Sequence, residues 1–184
     1  MFKIYDAPID GVKIIETKHL ADDRGMFCKY FCADEYKEHG IIADFKESYY
    51  SVSKKGAIRG MHFQAPPADH AKLVCVISGG ILDVCVDIRV GSPTYGKVFS
   101  IELWDNVPKS VYIPSGFAHG VKALAENTCF YSLQTSCYDS GREMGIAYDS
   151  FGFDWGDGEL IVSNKDKNQV ALKDLVSPFI WSGK

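Results

Sequence analysis

Residues 72–89 read KLVCVISGGILDVCVDIR, and the pattern of this stretch decides the fold class. Two runs rich in β-branched residues, Leu73 to Ser78 and Ile81 to Arg89, flank Gly79 and Gly80. Paired glycines supply the positive φ that tight hairpin turns need, so the stretch predicts a β-hairpin. In the second run Leu82, Val84, Val86 and Ile88 alternate with Asp83, Cys85 and Asp87, the period-two signature of a strand. A face carrying two acids between apolar strands points to a cavity lining or to solvent, and the inside of a closed barrel is a natural place for a site.

Outward from this stretch the chain continues in short extended pieces. Residues 1–20 read as extended, Asp22 to Gly25 as a turn, and Met26 to Phe31 as a strand. Asp34 is placed to cap a short helix, Glu35 to His39, closed by Gly40. Phe45 to Ser53, Val98 to Trp104 and Val111 to Ile113 are further strands, Val121 to Leu124 and Cys129 to Thr135 another pair, and Gln169 to Leu175 a helix in the polar tail. Many short strands with turns between them and little helical periodicity predict an all-β fold, an antiparallel barrel or double-sheet jelly roll with a few short helices.

The chain has 184 residues, is 46% apolar and carries a formal net charge of -4, which suits a single globular domain over residues 1–184. That charge offers no general attraction to nucleic acid or to an anionic membrane, so any phosphate binding must be local. Neither a basic start followed by an apolar run nor a membrane-length apolar stretch is present, and the expectation is a soluble, cytoplasmic protein. Six cysteines, at 28, 32, 75, 85, 129 and 137, form no CxxC pair; reduced, mostly buried thiols are expected.

Chemistry concentrates at Arg59–Gln64, RGMHFQ, with Lys72 just beyond a Pro-containing loop. Arg59 offers a planar fork for phosphate oxygens, Lys72 a compact charge, and His62 a side chain that exchanges protons near neutrality. A second histidine, His119, follows the rigid loop Pro114 to Phe117. The spacing from Pro114 to His119 resembles the second motif of the cupin superfamily, a double-sheet jelly roll, whereas the His-x-His of metal-binding cupins is missing because Phe63 and Gln64 follow His62.

Read together, Asp23 to Gly25, Arg59 to Gln64, Lys72 to Val74, Asp83 to Arg89, Ser92 to Gly96, Ile113 to Gly120 and Ser163 to Asp166 resemble the dTDP-4-dehydrorhamnose 3,5-epimerase family. The resemblance runs from Asp23 to about Leu175. It implies a cupin jelly roll without metal or cofactor, a homodimer, and inversion of carbons next to the C4 ketone of a nucleotide-diphosphate-linked 4-keto-6-deoxy sugar. By the family's pattern His62 is the base, Asp166 orients it, and Lys72 faces the sugar or its enolate oxygen. His119 and Asp83 complete the sugar pocket with Gln64 beside them, Arg59 meets the diphosphate, and Arg24 and Phe27 contact the nucleotide. For Asp166 the residues alone leave open a helix-capping role. A metal-dependent cupin oxygenase or isomerase, or a sugar-nucleotide-binding relative without activity, are the alternative classes.

The sequence departs from the family at two ends. Counting from His119, Ser132 stands where the family has the phenol that acts as the acid; Tyr131 is one residue off, on the opposite strand face unless a bulge intervenes, and Tyr138 aligns with a second family tyrosine. Ser132 leaves water or Tyr138 as the proton donor, which predicts inversion of one carbon, C5 over C3, or of both with one favoured. At the nucleotide end Lys29 replaces an acid, and Glu47 and Tyr49 replace a Gln and an Asn. An ionised Glu47 only accepts hydrogen bonds, and cytosine and guanine present amino donors that thymine lacks, so a CDP- or GDP-linked sugar is expected over a dTDP-linked one.

Overall fold

A computed structural model describes residues 2–183. Its strands run β1 (Phe2–Asp6), β2 (Lys13–Thr17), β3 (His19–Asp22), β4 (Gly25–Cys28), β5 (Glu47–Ser53), β6 (Ala57–Gln64) and β7 (Lys72–Ser78). They continue as β8 (Gly80–Asp87), β9 (Val98–Trp104), β10 (Lys109–Ile113), β11 (Phe117–Ala123), β12 (Thr128–Gln134), β13 (Glu143–Gly145) and β14 (Ile161–Val162). Two helices, α1 (Ala33–Lys37) and α2 (Asn164–Lys167), are each about one turn long. One sheet has the order β1-β2-β10-β7-β12-β5 and the other β13-β6-β11-β8-β9, with β14 added parallel to β6. The two pack face to face as a cupin-type double-sheet jelly roll, while β3 and β4 form a separate two-stranded hairpin.

The sheets are joined by an apolar core in which Val74, Val76, Val111, Ile113 and Phe130 of the first meet Ile81, Cys85, Leu103, Phe117 and Val121 of the second. Each of these fully buried side chains contributes on the order of 1.5–3 kcal/mol. The outer face of the second sheet is buried too: Val84, Val86 and Ile88 pack under the returning C-terminal segment with Ile146, Trp155, Leu175 and Phe179. Tyr36 of α1 covers the outer face of the first sheet, against Ile15, Leu73 and Tyr112.

The hairpin expected at Gly79 and Gly80 is not formed. β7 pairs with β10 and β12 in the first sheet, and β8 pairs with β11 and β9 in the second. Gly79, at φ 79°, carries the chain across the corner between the sheets, and a Cβ on Gly80 would stand 2.4 Å from the Trp104 ring. Strands that are apolar towards the core look alike whether they turn back on themselves or cross over, so the local pattern could not separate the two. The pair β11 and β12 divides between the sheets in the same way.

Other boundaries shift for local reasons. α1 begins at Ala33, with Cys32 as its cap and no side-chain cap bond, so Asp34 lies inside the first turn; Gly40, at φ 73°, stands just past its end as expected. β4 ends at Cys28, and Phe31 turns in to pack on Tyr36 and Phe45. The tail forms no helix over 169–175: Val170 bridges Ile146 in extended backbone, and only Leu172–Asp174 makes a 3-10 turn. The six cysteines are unpaired, but only Cys75 and Cys85 are fully buried and Cys137 is exposed.

Candidate active site

A cavity of about 860 Å³ opens between the two sheets at the end where β5, β6 and β12 meet the C-terminal segment. Its second-sheet wall is built by β6 and β11. His62 and His119 are cross-strand partners there, so their side chains stand next to each other on the inner face. Each is tied to a buried acid. His62 Nε2 lies 2.6 Å from Asp166 Oδ1, and His119 Nε2 lies 2.8 Å from Asp83 Oδ2.

Asp166 reaches His62 because α2 is short and capped: the Ser163 hydroxyl accepts the Asp166 N–H, and β14 pins the segment against β6. Ser163 is thus the cap, and Asp166 points inward, 5% exposed. Burial pushes the Asp166 carboxyl up, but the bond with His62 and those with Ser163 and the Gly60 backbone outweigh it and hold the group below the ordinary carboxylate range. His62 Nδ1 makes no hydrogen bond to the described residues and is left as the free nitrogen of the ring. For His119 burial dominates over the attraction of Asp83 and lowers its pKa, which keeps the ring neutral. Asp83 is fully buried, and its Oδ1 has no partner.

The opposite wall comes from β7, β12 and β5. Lys72 donates from Nζ to the His62 carbonyl at 3.1 Å, which sets an ammonium beside the histidine pair. Burial lowers its pKa to about 8, partly opposed by Asp83 and Glu143. Along β5 and β12, Glu47 faces Gln134, Tyr49 faces Ser132, and Ser51 faces Phe130, all with side chains turned inward. Tyr131, the cross-strand partner of Tyr50, is absent from the cavity wall, and the bulge between Cys129 and Phe130 does not bring it round.

The remaining sequence candidates divide clearly. Arg59 lines the mouth, steadied by Ser53 Oγ at 3.0 Å and the Val52 carbonyl. Gln64 is 3% exposed and committed to loop backbone, donating to the Ala68 and Cys137 carbonyls and accepting from Asp139 N. Glu47 accepts the Tyr138 backbone N–H at 2.7 Å, and Tyr138 donates its hydroxyl to Glu143. Arg24 and Phe27 lie on the β3–β4 hairpin, highly exposed, and with Lys29 they are absent from the cavity wall of their own chain. Asp87, read with Asp83 as lining one polar face, is bound by Arg89, Ser92 and Thr94 and closes a loop instead.

Several lining residues carried no sequence signal strong enough to be picked, His70, Gln134, Glu143 and Lys165 among them. His70, from the loop before Lys72, stands in the wall, its pKa pulled down to about 3 by burial and by the neighbouring Lys72 charge, with Nε2 unpartnered. Gln134 shares a face with Ser132 two residues earlier, a spacing that could have found it. Glu143 and Lys165 form a rim ion pair at 2.5 Å and look like ordinary surface charges in the sequence. Among the described residues no group of three or more His, Cys, Asp or Glu side chains is placed to hold a metal ion, and no helix is long and apolar enough to cross a membrane.

The sequence model of dTDP-4-dehydrorhamnose 3,5-epimerase matches residues 6–174. The chain belongs to that family. A dTDP-4-dehydrorhamnose 3,5-epimerase from Methanothermobacter thermautotrophicus is 36% identical over 94% of this chain and 96% of its own. The crystal structure of a dTDP-6-deoxy-D-glucose-3,5-epimerase from Legionella pneumophila, in complex with dTDP-4-keto-L-rhamnose, covers 100% of both chains at 35% identity and a TM-score of 0.94. A dTDP-4-dehydrorhamnose 3-epimerase from Streptomyces niveus is 33% identical over 90% of this chain and 82% of its own. Membership of the epimerase family makes the chain an enzyme of the isomerase class, and the histidine pair and Lys72 occupy the cavity its fold provides.

Lys72 gives the site a pH signature. The native state releases its proton near pH 8 and the unfolded chain near 10.5, so between these values the unfolded state binds more protons and the contribution to stability rises with pH. The stability of wild type relative to Lys72→Met should therefore climb from pH 7 towards pH 10, by up to about 3 kcal/mol. Denaturant titrations of both proteins across that range check this, and a constant difference would contradict it.

Proposed function

We propose that this enzyme inverts C3 and/or C5 of a nucleotide-diphosphate-linked 4-keto-6-deoxy sugar, a step of deoxysugar biosynthesis for surface polysaccharide. The observation that carries the reading is the His62–Asp166 pair at 2.6 Å, with Lys72 beside it, in a cavity large enough for the sugar. His62 Nδ1 takes the proton from the carbon next to the ketone. Asp166 holds the other ring proton on Nε2 and stabilises the imidazolium. Charge develops on the ketone oxygen, and the Lys72 ammonium stabilises that enolate. Neutral His119, donating Nε2–H to Asp83, leaves Nδ1 to accept a sugar hydroxyl, and Arg59 at the mouth suits the diphosphate.

A homodimer in the cytoplasm completes the proposal. Arg24 and Phe27, outside their own cavity on an exposed hairpin, would reach the nucleotide in a second copy's cavity, and six unpaired cysteines suit a reducing compartment. Ser132 is buried without a hydrogen bond and Tyr138 is tied to Glu143; a β12 that turns no phenol towards the cavity supports inversion of one carbon, C5. Single-centre action has a precedent in the relative named a 3-epimerase.

Proton NMR in deuterated water, on dTDP-, CDP- and GDP-linked 4-keto-6-deoxyglucose, tests the activity. Wild type should introduce deuterium next to the ketone, with unequal uptake at C3 and C5, and His62→Ala should reduce it by roughly 10²-fold or more. Exchange unchanged in His62→Ala would remove the base from the account.

The carrier is tested by affinity. Glu47 presents a carboxylate oxygen to the cavity beside the one on the Tyr138 amide, which supports a base with an amino donor. Calorimetry with CDP, GDP and dTDP should rank dTDP weakest, and Glu47→Gln should narrow the gap; dTDP binding tightest refutes the preference.

A further inference from the structure

Proton return needs a donor on the wall opposite His62, and the described tyrosines differ sharply in their fitness for it. Tyr131 is absent from the cavity wall and Tyr138 stands on the rim with its hydroxyl committed to Glu143. Tyr49 is different. It extends from β5 in the first sheet, while His62 extends from β6 in the second, so the two reach the same cavity from opposite walls. Its cross-strand partner is Ser132.

Directly opposed side chains on neighbouring antiparallel strands have Cβ atoms only about 4.5–5.5 Å apart, so residues 49 and 132 serve the same stretch of the inner wall. Ser132, 1% exposed and with an unpartnered Oγ, is the small member of the pair, and Tyr49 is the phenol of that stretch of wall. Phe130 holds the ring edge-on, at 6.3 Å between centroids and 76° between planes. Tyr49 keeps 39% of its surface exposed and lines the cavity on the inner face that it shares with the buried Ser132 and Gln134. Burial raises its pKa, those two neighbours oppose the rise, and the Glu47 and Asp83 charges add to it, so the phenol keeps its proton at neutral pH.

We propose that Tyr49 is the proton donor of the epimerisation, β5 supplying from the neighbouring strand the phenol that β12 lacks at Ser132. The proposal rests on the epimerase reading above. His62 removes the proton from one face of the carbon, and the electron pair of that C–H bond forms the enolate. The enolate then takes the Tyr49 hydroxyl proton on the opposite face: its C=C electrons make the new C–H bond, the ketone re-forms, and Tyr49 is left as phenolate. Solvent water returns a proton to the phenolate and accepts the one held by His62. The donor starts one strand away from β12, about 4.8 Å, and such an offset favours one of the two carbons flanking the ketone.

The test separates proton removal from proton return. In deuterated water His62 can exchange a sugar proton and return deuterium to the same face without any help from Tyr49. Tyr49→Phe should therefore keep deuterium uptake with retention while the inverted product falls by roughly 10²-fold or more. The substrate is whichever of the dTDP-, CDP- or GDP-linked 4-keto-6-deoxyglucoses wild type exchanges, and calorimetric binding of the matching nucleoside diphosphate reports that the variant is folded. The swap Tyr49→Ser with Ser132→Tyr should recover inversion above Tyr49→Phe. Inversion by Tyr49→Phe within about threefold of wild type, or exchange and inversion falling together, would overturn Tyr49 as donor and leave the epimerase reading standing. Wild type that exchanges no proton with any of the three sugars would overturn both.

Discussion

The hydrogen bond between His62 and Asp166 spans 104 positions of sequence, and the arrangement of the cavity depends on it. A carboxylate as deeply buried as Asp166 is costly unless it is paired, and the imidazole Nε2–H is its main partner. The bond ties β6 to the segment that returns over the second sheet, so the fold of the tail and the orientation of the His62 ring are one problem. A ring held in this way presents a single bare nitrogen to the cavity, which is what an abstraction step requires.

The jelly roll matters because it makes two walls. The chain crosses between sheets at Gly79 and again between β11 and β12, and each crossing delivers chemistry to the other side. Lys72 opens β7 on one wall, and Asp83, four residues past Gly79, supports His119 on the other. In the proposed reaction His62 and Tyr49 would thus face opposite sides of one sugar ring without either leaving a rigid strand. Strand register also sets side chains of neighbouring strands directly opposite each other on one wall, as it does Ser132 and Tyr49.

Much of this was legible in the sequence, and the misses share a cause. Period-two alternation at Leu82 to Ile88 announced a strand and the inward position of Asp83, because side-chain direction is a local property. Partners are not local: the same residues fit a hairpin or a crossover, and the paired glycines that suggested a turn serve a corner whose tightness is set by Trp104 and Thr128. The Gln169 to Leu175 helix failed because Val170 found a distant bridge to Ile146, a contact that outweighs weak helix propensity. Within the cavity, His62, Lys72 and Asp166 were singled out by motif, and the fold brings the three together. The opposition of Tyr49 and Ser132 follows from strand register, which no spacing within a single strand reveals.

The central claim is that Asp166 fixes the ring of His62 with its proton on Nε2 and Nδ1 bare towards the cavity. Long-range proton–nitrogen correlation NMR of the histidine-labelled protein, with His62 assigned by substitution, reads the tautomer of the neutral ring directly. The account predicts a protonated Nε2 and an unprotonated Nδ1 in wild type, with the preference lost in Asp166→Ala. A neutral ring protonated at Nδ1, or a tautomer indifferent to Asp166, would contradict it.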